Sequence, residues 1–173
     1  MRIYLTGYMG SGKSTYGKML AEISAYMFYD LDTEIEKQCG LPIPQIFEIH
    51  GEEYFRRLEK EALHKSLHFT NAVISCGGGT PAFYDNMSFM LQHGITVFLK
   101  QDISILLNDL KEGMAHRPLL SKAENPERYI RESIRDRNVY YRQADIIINP
   151  SFFTPSLLWE YLKSRQHSKG QNK

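Results

Sequence analysis

Five short apolar runs punctuate the chain, at residues 3–5, 27–29, 72–75, 96–99 and 146–148. None alternates cleanly between apolar and polar positions, which predicts parallel strands covered on both faces. Between them the spacing changes. In Lys13–Ser24, Tyr16, Met19, Leu20 and Ile23 recur at i, i+3, i+4 and i+7, which predicts one buried helix face. Helical spacing also fits residues 33–38, 52–67, 84–92, 103–110, 126–141 and 154–163. Strands alternating with helices predict a doubly wound α/β domain built on a parallel sheet, spanning 1–165. Two stretches leave the pattern. Residues 111–125, "KEGMAHRPLLSKAEN", have no periodicity, and a loop this long inside a compact domain reads as a functional lid. Residues 166–173 are wholly polar and are expected to be a disordered tail.

A length of 173 residues suits one domain, and a 42% hydrophobic content leaves enough material for a core. Charge narrows the function. With 21 Lys plus Arg against 20 Asp plus Glu, the chain has no global field for nucleic acid or an anionic membrane. Anion binding must be local. Two cysteines, Cys39 and Cys76, cannot build a metal cluster and need no oxidising compartment. No apolar run approaches the roughly 18 residues of a membrane span, and no signal peptide is expected, since the first strand begins at Arg2 and runs directly into the glycine-rich loop. The expected setting is cytoplasmic, with small-molecule partners and a monomeric chain.

The first strand runs into Gly7-Tyr-Met-Gly10-Ser11-Gly12-Lys13-Ser14, a full match to G-x-x-x-x-G-K-[ST], followed by Thr15. Such a turn aims consecutive N–H groups at phosphate oxygens, and the helix after it adds its positive end. Gly10, Ser11, Gly12 and Thr15 would wrap the phosphates, Lys13 would neutralise the β/γ-phosphates, and the Ser14 hydroxyl would ligate Mg²⁺. No Asn-Lys-x-Asp segment for guanine follows, so ATP is the expected nucleotide.

The second strand ends in Tyr29-Asp30-Leu31-Asp32, at the end of the sheet where ligands bind. Alternation along an extended chain would put Asp30 and Asp32 on one side. One carboxylate would then hold Mg²⁺ through water while the next addresses a substrate hydroxyl, or Asp32 caps a helix starting at Thr33. The third strand runs into Gly77, Gly78 and Gly79, where a ligand is expected to approach the backbone too closely for any Cβ. In "EEYFRRLEKE", Arg56 and Arg57 cannot both face water, since Tyr54, Phe55, Leu58 and Ala62 mark the packed side. Arg137 sits where the stripe Ile130, Ile134, Tyr141 asks for an apolar residue. It either snorkels or meets an anion, because a buried unpaired cation costs several kcal/mol. Arg117, inside the irregular loop, suits a lid over a transferring phosphate. Guanidinium forks suit a carboxylate or phosphate and Asp32 suits hydroxyls, so the acceptor is an anionic, polyhydroxylated small molecule.

The segments "GYMGSGKST", "DLDTEIE", "IFEIHGEEYFRRLE", "ISCGGGTP", "HRPLL" and "RDRNVYY" together resemble the shikimate kinase family from Arg2 to about Lys163. The resemblance implies a nucleoside-monophosphate-kinase-like P-loop fold, three layers deep, with a five-stranded parallel sheet in order 2-3-1-4-5. It implies ATP-dependent phosphorylation of the 3-hydroxyl of shikimate, in aromatic amino acid biosynthesis. Lys13, Asp32 and Arg117 would be catalytic; Asp30 would assist Mg²⁺ through water. Asp32, Arg56, Gly77–Gly79 and Arg137 would bind shikimate, within a substrate segment at about 32–60. The adenine region departs from the family. Lys111 stands where an arginine is common, and Asn149-Pro-Ser-Phe-Phe-Thr-Pro155 replaces an arginine-containing loop, so Phe152 or Phe153 would stack on adenine. The competing readings are a gluconate kinase, a nucleoside monophosphate kinase and a nucleotide-dependent switch without an acceptor. "FRRLE" and "RPLL" count against the first.

Overall fold

A computed structural model describes residues 1–112 and 125–170 of the chain. Five strands, β1 (Arg2–Thr6), β2 (Met27–Asp30), β3 (Ala72–Ser75), β4 (Ile95–Leu99) and β5 (Ile146–Ile148), form one sheet in the order β2-β3-β1-β4-β5. Every pairing is parallel. The helices are α1 (Lys13–Ser24), α2 (Leu31–Cys39), α3 (Ile43–Lys65), α4 (Asn86–His93), α5 (Ile103–Glu112), α6 (Pro126–Tyr141) and α7 (Pro155–Gly170). Short 3₁₀ turns at Ser66–His68 and Thr80–Ala82 follow α3 and the triple glycine.

The unbroken apolar runs are explained by two cores. Tyr4, Ala72 and Ile74 face a cluster with Leu31, Ile35, Phe55, Leu58 and Met90, contributed by α2, α3 and α4. The intervening residues Ile3, Leu5, Val73, Val97 and Leu99 face the opposite way, onto Tyr16, Leu20 and Leu158 of α1 and α7. A period of 2 therefore survives, but both phases are apolar because both faces are covered. A third cluster, Tyr8, Leu106, Leu107 and Ile130, ties α5 and α6 to the glycine-rich loop.

Four expectations change. The buried face of α1 is Tyr16, Gly17, Leu20 and Ala21, while Met19 and Ile23 are exposed. The helix turns this way because Gly17 is its point of closest approach: a Cβ there would lie 2.7 Å from the Phe28 ring and 3.0 Å from Leu5. Helix α3 begins nine residues earlier than the apolar spacing suggested, at Ile43, and kinks at Gly51, whose φ of 80° is closed to most side chains. Pro44 sits in the first helical turn, where a missing N–H is harmless. The polar segment expected to be disordered from Gln166 is helical as far as Gly170. Helix α2 begins at Leu31, so Asp32 lies in its first turn and not in an extended strand. Of the lid expected at 111–125, Lys111 and Glu112 close α5 and Asn125 caps α6; the residues between them, with Arg117, lie outside the described residues.

Candidate active site

The register puts Leu5, Asp30 and Ser75 at one level, so β1, β2 and β3 end within a residue of one another. The loops leaving those ends enclose a cavity of about 540 Å³. On one wall the phosphate loop turns into α1 through Gly12, at φ 79° and ψ 15°, in the left-handed conformation that glycine adopts without strain. Lys13 is buried, and its Nζ donates to the carbonyls of Gly7 and Tyr8, both at 2.9 Å. Ser14 Oγ donates to Asp30 Oδ2 at 2.7 Å and lies 3.3 Å from Ser75 Oγ. Asp30 Oδ1 accepts the Thr33 N–H at 3.2 Å, so Asp30, not Asp32, is the N-cap of α2. That corrects both the capping role considered for Asp32 and its pairing with Asp30 by strand alternation. The two carboxylates diverge because the chain turns helical between them.

Across the cavity stand Asp32, Arg56, the three glycines and Arg137. Glu59 is fully buried; its Oε2 accepts from Arg56 Nη1 at 2.9 Å and its Oε1 from Thr80 Oγ1 at 2.6 Å. Arg56, only 5% exposed, also donates to Glu52 through Nη2 at 2.9 Å, and lies 4.0 Å over the Phe83 ring. Of the two adjacent arginines, Arg56 is thus the one turned inward, and Arg57 is exposed. Arg137 is half-buried, with Nη1 3.4 Å from the Gly78 carbonyl and its guanidinium 5.6 Å from the Tyr8 ring. It does not snorkel away from the cavity; it lines it.

The triple glycine has a cause inside the protein. A Cβ on Gly77 would strike Glu59 Oε1 and lie 3.1 Å from Asp32 Oδ1; on Gly79 it would lie 2.6 Å from Arg56 Nη1. On Gly78 it would lie 3.0 Å from the Met9 backbone nitrogen. Side chains are excluded here by the site's own carboxylates, guanidinium and phosphate loop, so close approach of a ligand is not needed to explain the glycines.

Burial raises the Asp32 pKa to about 7, reinforced by the negative charges of Glu59 and Asp30 and opposed by Lys13. A carboxyl poised there can orient a hydroxyl and take its proton near neutrality. Cys76 is buried, and burial pushes its thiol pKa far upward, so it is a core residue without nucleophilic character.

The cavity gathers Gly10, Gly12, Lys13, Ser14, Thr15, Asp32, Arg56, Gly77, Gly78, Gly79 and Arg137. Ser11 is buried within the phosphate loop, and Asp30 stands behind Ser14 outside the lining. Phe153 is outside the lining too: its ring packs against the Tyr16 and Leu158 core, and its carbonyl accepts from Tyr16 Oη at 3.0 Å. Phe152, 80% exposed, is the aromatic ring with a free face. Sequence reasoning missed Glu36, Ile43, Pro44, Phe47 and Glu59. Glu59 left a signal, for it falls on the Phe55–Ala62 stripe, an ionisable residue at an apolar position like Arg137.

A phosphate-binding loop facing two guanidinium groups and a near-neutral carboxyl, on a five-stranded parallel sheet of order 2-3-1-4-5, defines a P-loop kinase of small metabolites. The shikimate kinase family model matches residues 9–163. A shikimate kinase of Parabacteroides distasonis is 42% identical over 84% of this chain and 85% of its own. The crystal structure of the Bacteroides thetaiotaomicron shikimate kinase superposes with a TM-score of 0.84 at 37% identity, covering 96% of this chain and 98% of that one. The Acinetobacter baumannii enzyme in complex with shikimate superposes at 0.85, with 34% identity over 99% and 95%. The chain belongs to the shikimate kinase family.

Proposed function

We propose that this protein transfers the γ-phosphoryl group of ATP to the 3-hydroxyl of shikimate, within aromatic amino acid biosynthesis. The observation that carries the reading is the arrangement of one cavity: phosphate loop on one wall, Asp32 and a pair of arginines on the other. Arg56 and Arg137 hold the shikimate carboxylate, and Asp32 and the glycine backbone address the ring hydroxyls. Lys13 neutralises charge on the β/γ-phosphates, where a loose transition state makes positioning and neutralisation the main catalytic tasks. Asp32 orients the attacking hydroxyl and accepts its proton as the new P–O bond forms and the bond to ADP breaks. Arg117, which lies outside the described residues, is the cation expected to stabilise the transferring group.

The donor set fits Mg²⁺. Ser14 Oγ, Asp30 and Ser75 offer the hard oxygens that Mg²⁺ takes. Ser14 would hold the ion directly and Asp30 through water; when bound, it supplies charge neutralisation across the phosphates. Gly10, Ser11, Gly12 and Thr15 wrap the phosphates, while Phe153 or its exposed neighbour Phe152 covers the adenine. Residues 1–165 act as a single, monomeric kinase domain with its substrate segment at 32–60, in the cytoplasm, with no nucleic acid or membrane partner. No helix among the described residues is long and apolar enough to cross a membrane.

The test is ADP release with shikimate, gluconate and AMP offered in turn. Turnover that requires shikimate is expected. Equal or greater turnover with gluconate or AMP would overturn the assignment, and slow ATP hydrolysis indifferent to all three would identify a switch.

A further inference from the structure

Tyr141 stands at the end of α6, one helical turn after Arg137, and nothing in the reading above uses it. It is 1% exposed, yet its hydroxyl is not idle: it donates to the backbone carbonyl of Gly78, to which Arg137 Nη1 also points from 3.4 Å. Its ring is stacked on Phe98 of β4, centroids 4.9 Å apart and planes 19° from parallel. The side chain is therefore fixed at both ends, the ring to the sheet and the hydroxyl to the glycine loop.

The peptide it grips is a crowded junction. The Gly78 Cα lies against the Met9 backbone of the phosphate loop, Gly77 against Asp32 and Glu59, and Gly79 against the Arg56 guanidinium. Three successive residues without side chains have few packing restraints of their own, and rotation of a peptide plane between glycines meets little steric resistance. The Thr80 N–H donates to the Gly77 carbonyl at 3.1 Å and closes this turn, but such a bond is compatible with either orientation of the turn's central peptide plane, so a further contact must select one. All described peptides are trans, so the Gly78 carbonyl and the Gly79 N–H, which share one plane, point in opposite directions. A hydroxyl that holds the carbonyl on the α6 side therefore dictates where the N–H points. No protein acceptor takes the Gly79 N–H among the described residues, and Gly79 borders the cavity.

We infer that Tyr141 is a positioning residue for acceptor binding: by holding the Gly78 carbonyl it aims the Gly79 N–H into the cavity and sets Arg137 beside it. The ligand class it serves is an acceptor that offers an oxygen to a backbone N–H and an anionic group to Arg137. This rests on the shikimate reading for the identity of that acceptor, but the aiming of the peptide plane does not.

The experiment compares wild type, Tyr141→Phe and, as a neighbouring hydroxyl control, Tyr140→Phe. The phenylalanine at 141 keeps the stack on Phe98 and removes only the donor. Tyr141→Phe is expected to raise the shikimate KM roughly five- to twenty-fold, the effect of removing the short donor to a carbonyl that keeps only the 3.4 Å contact from Arg137 Nη1, with the ATP KM within twofold. Tyr140→Phe should move neither. In protein labelled with ¹⁵N at its 12 glycines, the Gly79 amide resonance should shift or broaden in Tyr141→Phe without substrate, while the phosphate-loop glycines stay in place. A shikimate KM and a Gly79 resonance both unchanged in a folded Tyr141→Phe protein would overturn the inference. So would equal rises in both KM values accompanied by a general loss of glycine dispersion, which would make the hydroxyl a plain fold contact. If the wild type does not turn over shikimate, the functional reading fails, and the Gly79 resonance still decides the role of Tyr141.

Discussion

Replacing Glu59 with Gln takes one charge and almost no volume from the most deeply buried ionic cluster of the site. Glu59 is 0% exposed and has two donors, Arg56 at 2.9 Å and Thr80 at 2.6 Å. The amide can still accept from one of them, but Arg56 loses a fully buried counter-charge. Breaking a buried pair in this way costs about 3–5 kcal/mol. Arg56 retains Glu52, which is half-exposed and 2.9 Å away, so the lower end applies, about 3 kcal/mol. For a domain of this size each kcal/mol corresponds to about 2–4 °C, and Tm should fall by about 6–12 °C. A second effect separates this from ordinary destabilisation. Glu59 is the largest charge acting to raise the Asp32 pKa, after burial itself. Removing it should lower that pKa, so the acid limb of the kcat/KM profile for shikimate should move to lower pH. Thermal unfolding followed by circular dichroism, and coupled ADP release between pH 5 and 9, measure the two. A Tm within about 2 °C of wild type together with an unmoved acid limb would show that Glu59 carries no charge in the folded protein, and the account of the cluster would be wrong.

Asp32→Asn should abolish most turnover yet stabilise the free protein at pH 8. The folded state holds the Asp32 proton up to about pH 7 whereas the unfolded chain releases it near 3.8, so wild-type stability falls as pH rises between those values. Urea unfolding at pH 4, 6 and 8 checks this, and a gain that does not grow with pH would refute it. Gly77→Ala forces a methyl group onto Glu59 Oε1 and to 3.1 Å from Asp32 Oδ1; a loss of about 1–3 kcal/mol and a raised shikimate KM should follow, and wild-type values in both would contradict the packing. Arg137→Leu should raise the shikimate KM at least about tenfold, the loss of one charge-assisted contact, with little change in Tm because the side chain is half-buried. A large fall in Tm with an unchanged KM would make Arg137 structural.

The glycine-rich loop, the five strands and the α/β class were legible because each rests on local chemistry. G-x-x-x-x-G-K-S fixes a turn by itself, and apolar runs bounded by turns report strands wherever they pack. Arg137 was legible as a cation at an apolar position. The course of residues 31–51 was not. Helical spacing predicts a helix only from residue 52, yet the helix begins at Ile43, with Pro44 harmless in its first turn and Gly51 a kink within it. Asp30 and Asp32 were expected on one side of an extended strand, whereas the helix starts one residue after Asp30, whose carboxylate accepts the Ser14 hydroxyl and the Thr33 N–H. Glu59 differs from Glu52, Glu53 and Glu61 in the sequence only by its place on the Phe55–Ala62 stripe, and its partners Arg56 and Thr80 are set by the fold.

By itself the sequence determined a nucleotide loop at the end of a parallel sheet, and an acceptor with hydroxyls and a negative group. Those follow from motif, periodicity and residue chemistry, which act over a few positions. Tertiary structure alone decided which charges meet. It turned Arg56 inward and Arg57 outward, buried Glu59 between Arg56 and Thr80, and brought Tyr141 onto the Gly78 carbonyl, 63 positions away in the chain. The physical reason is that a charge or hydroxyl acquires its energy from what surrounds it, and those surroundings exist only once the sheet has aligned β1, β2 and β3 and the helices have closed over them.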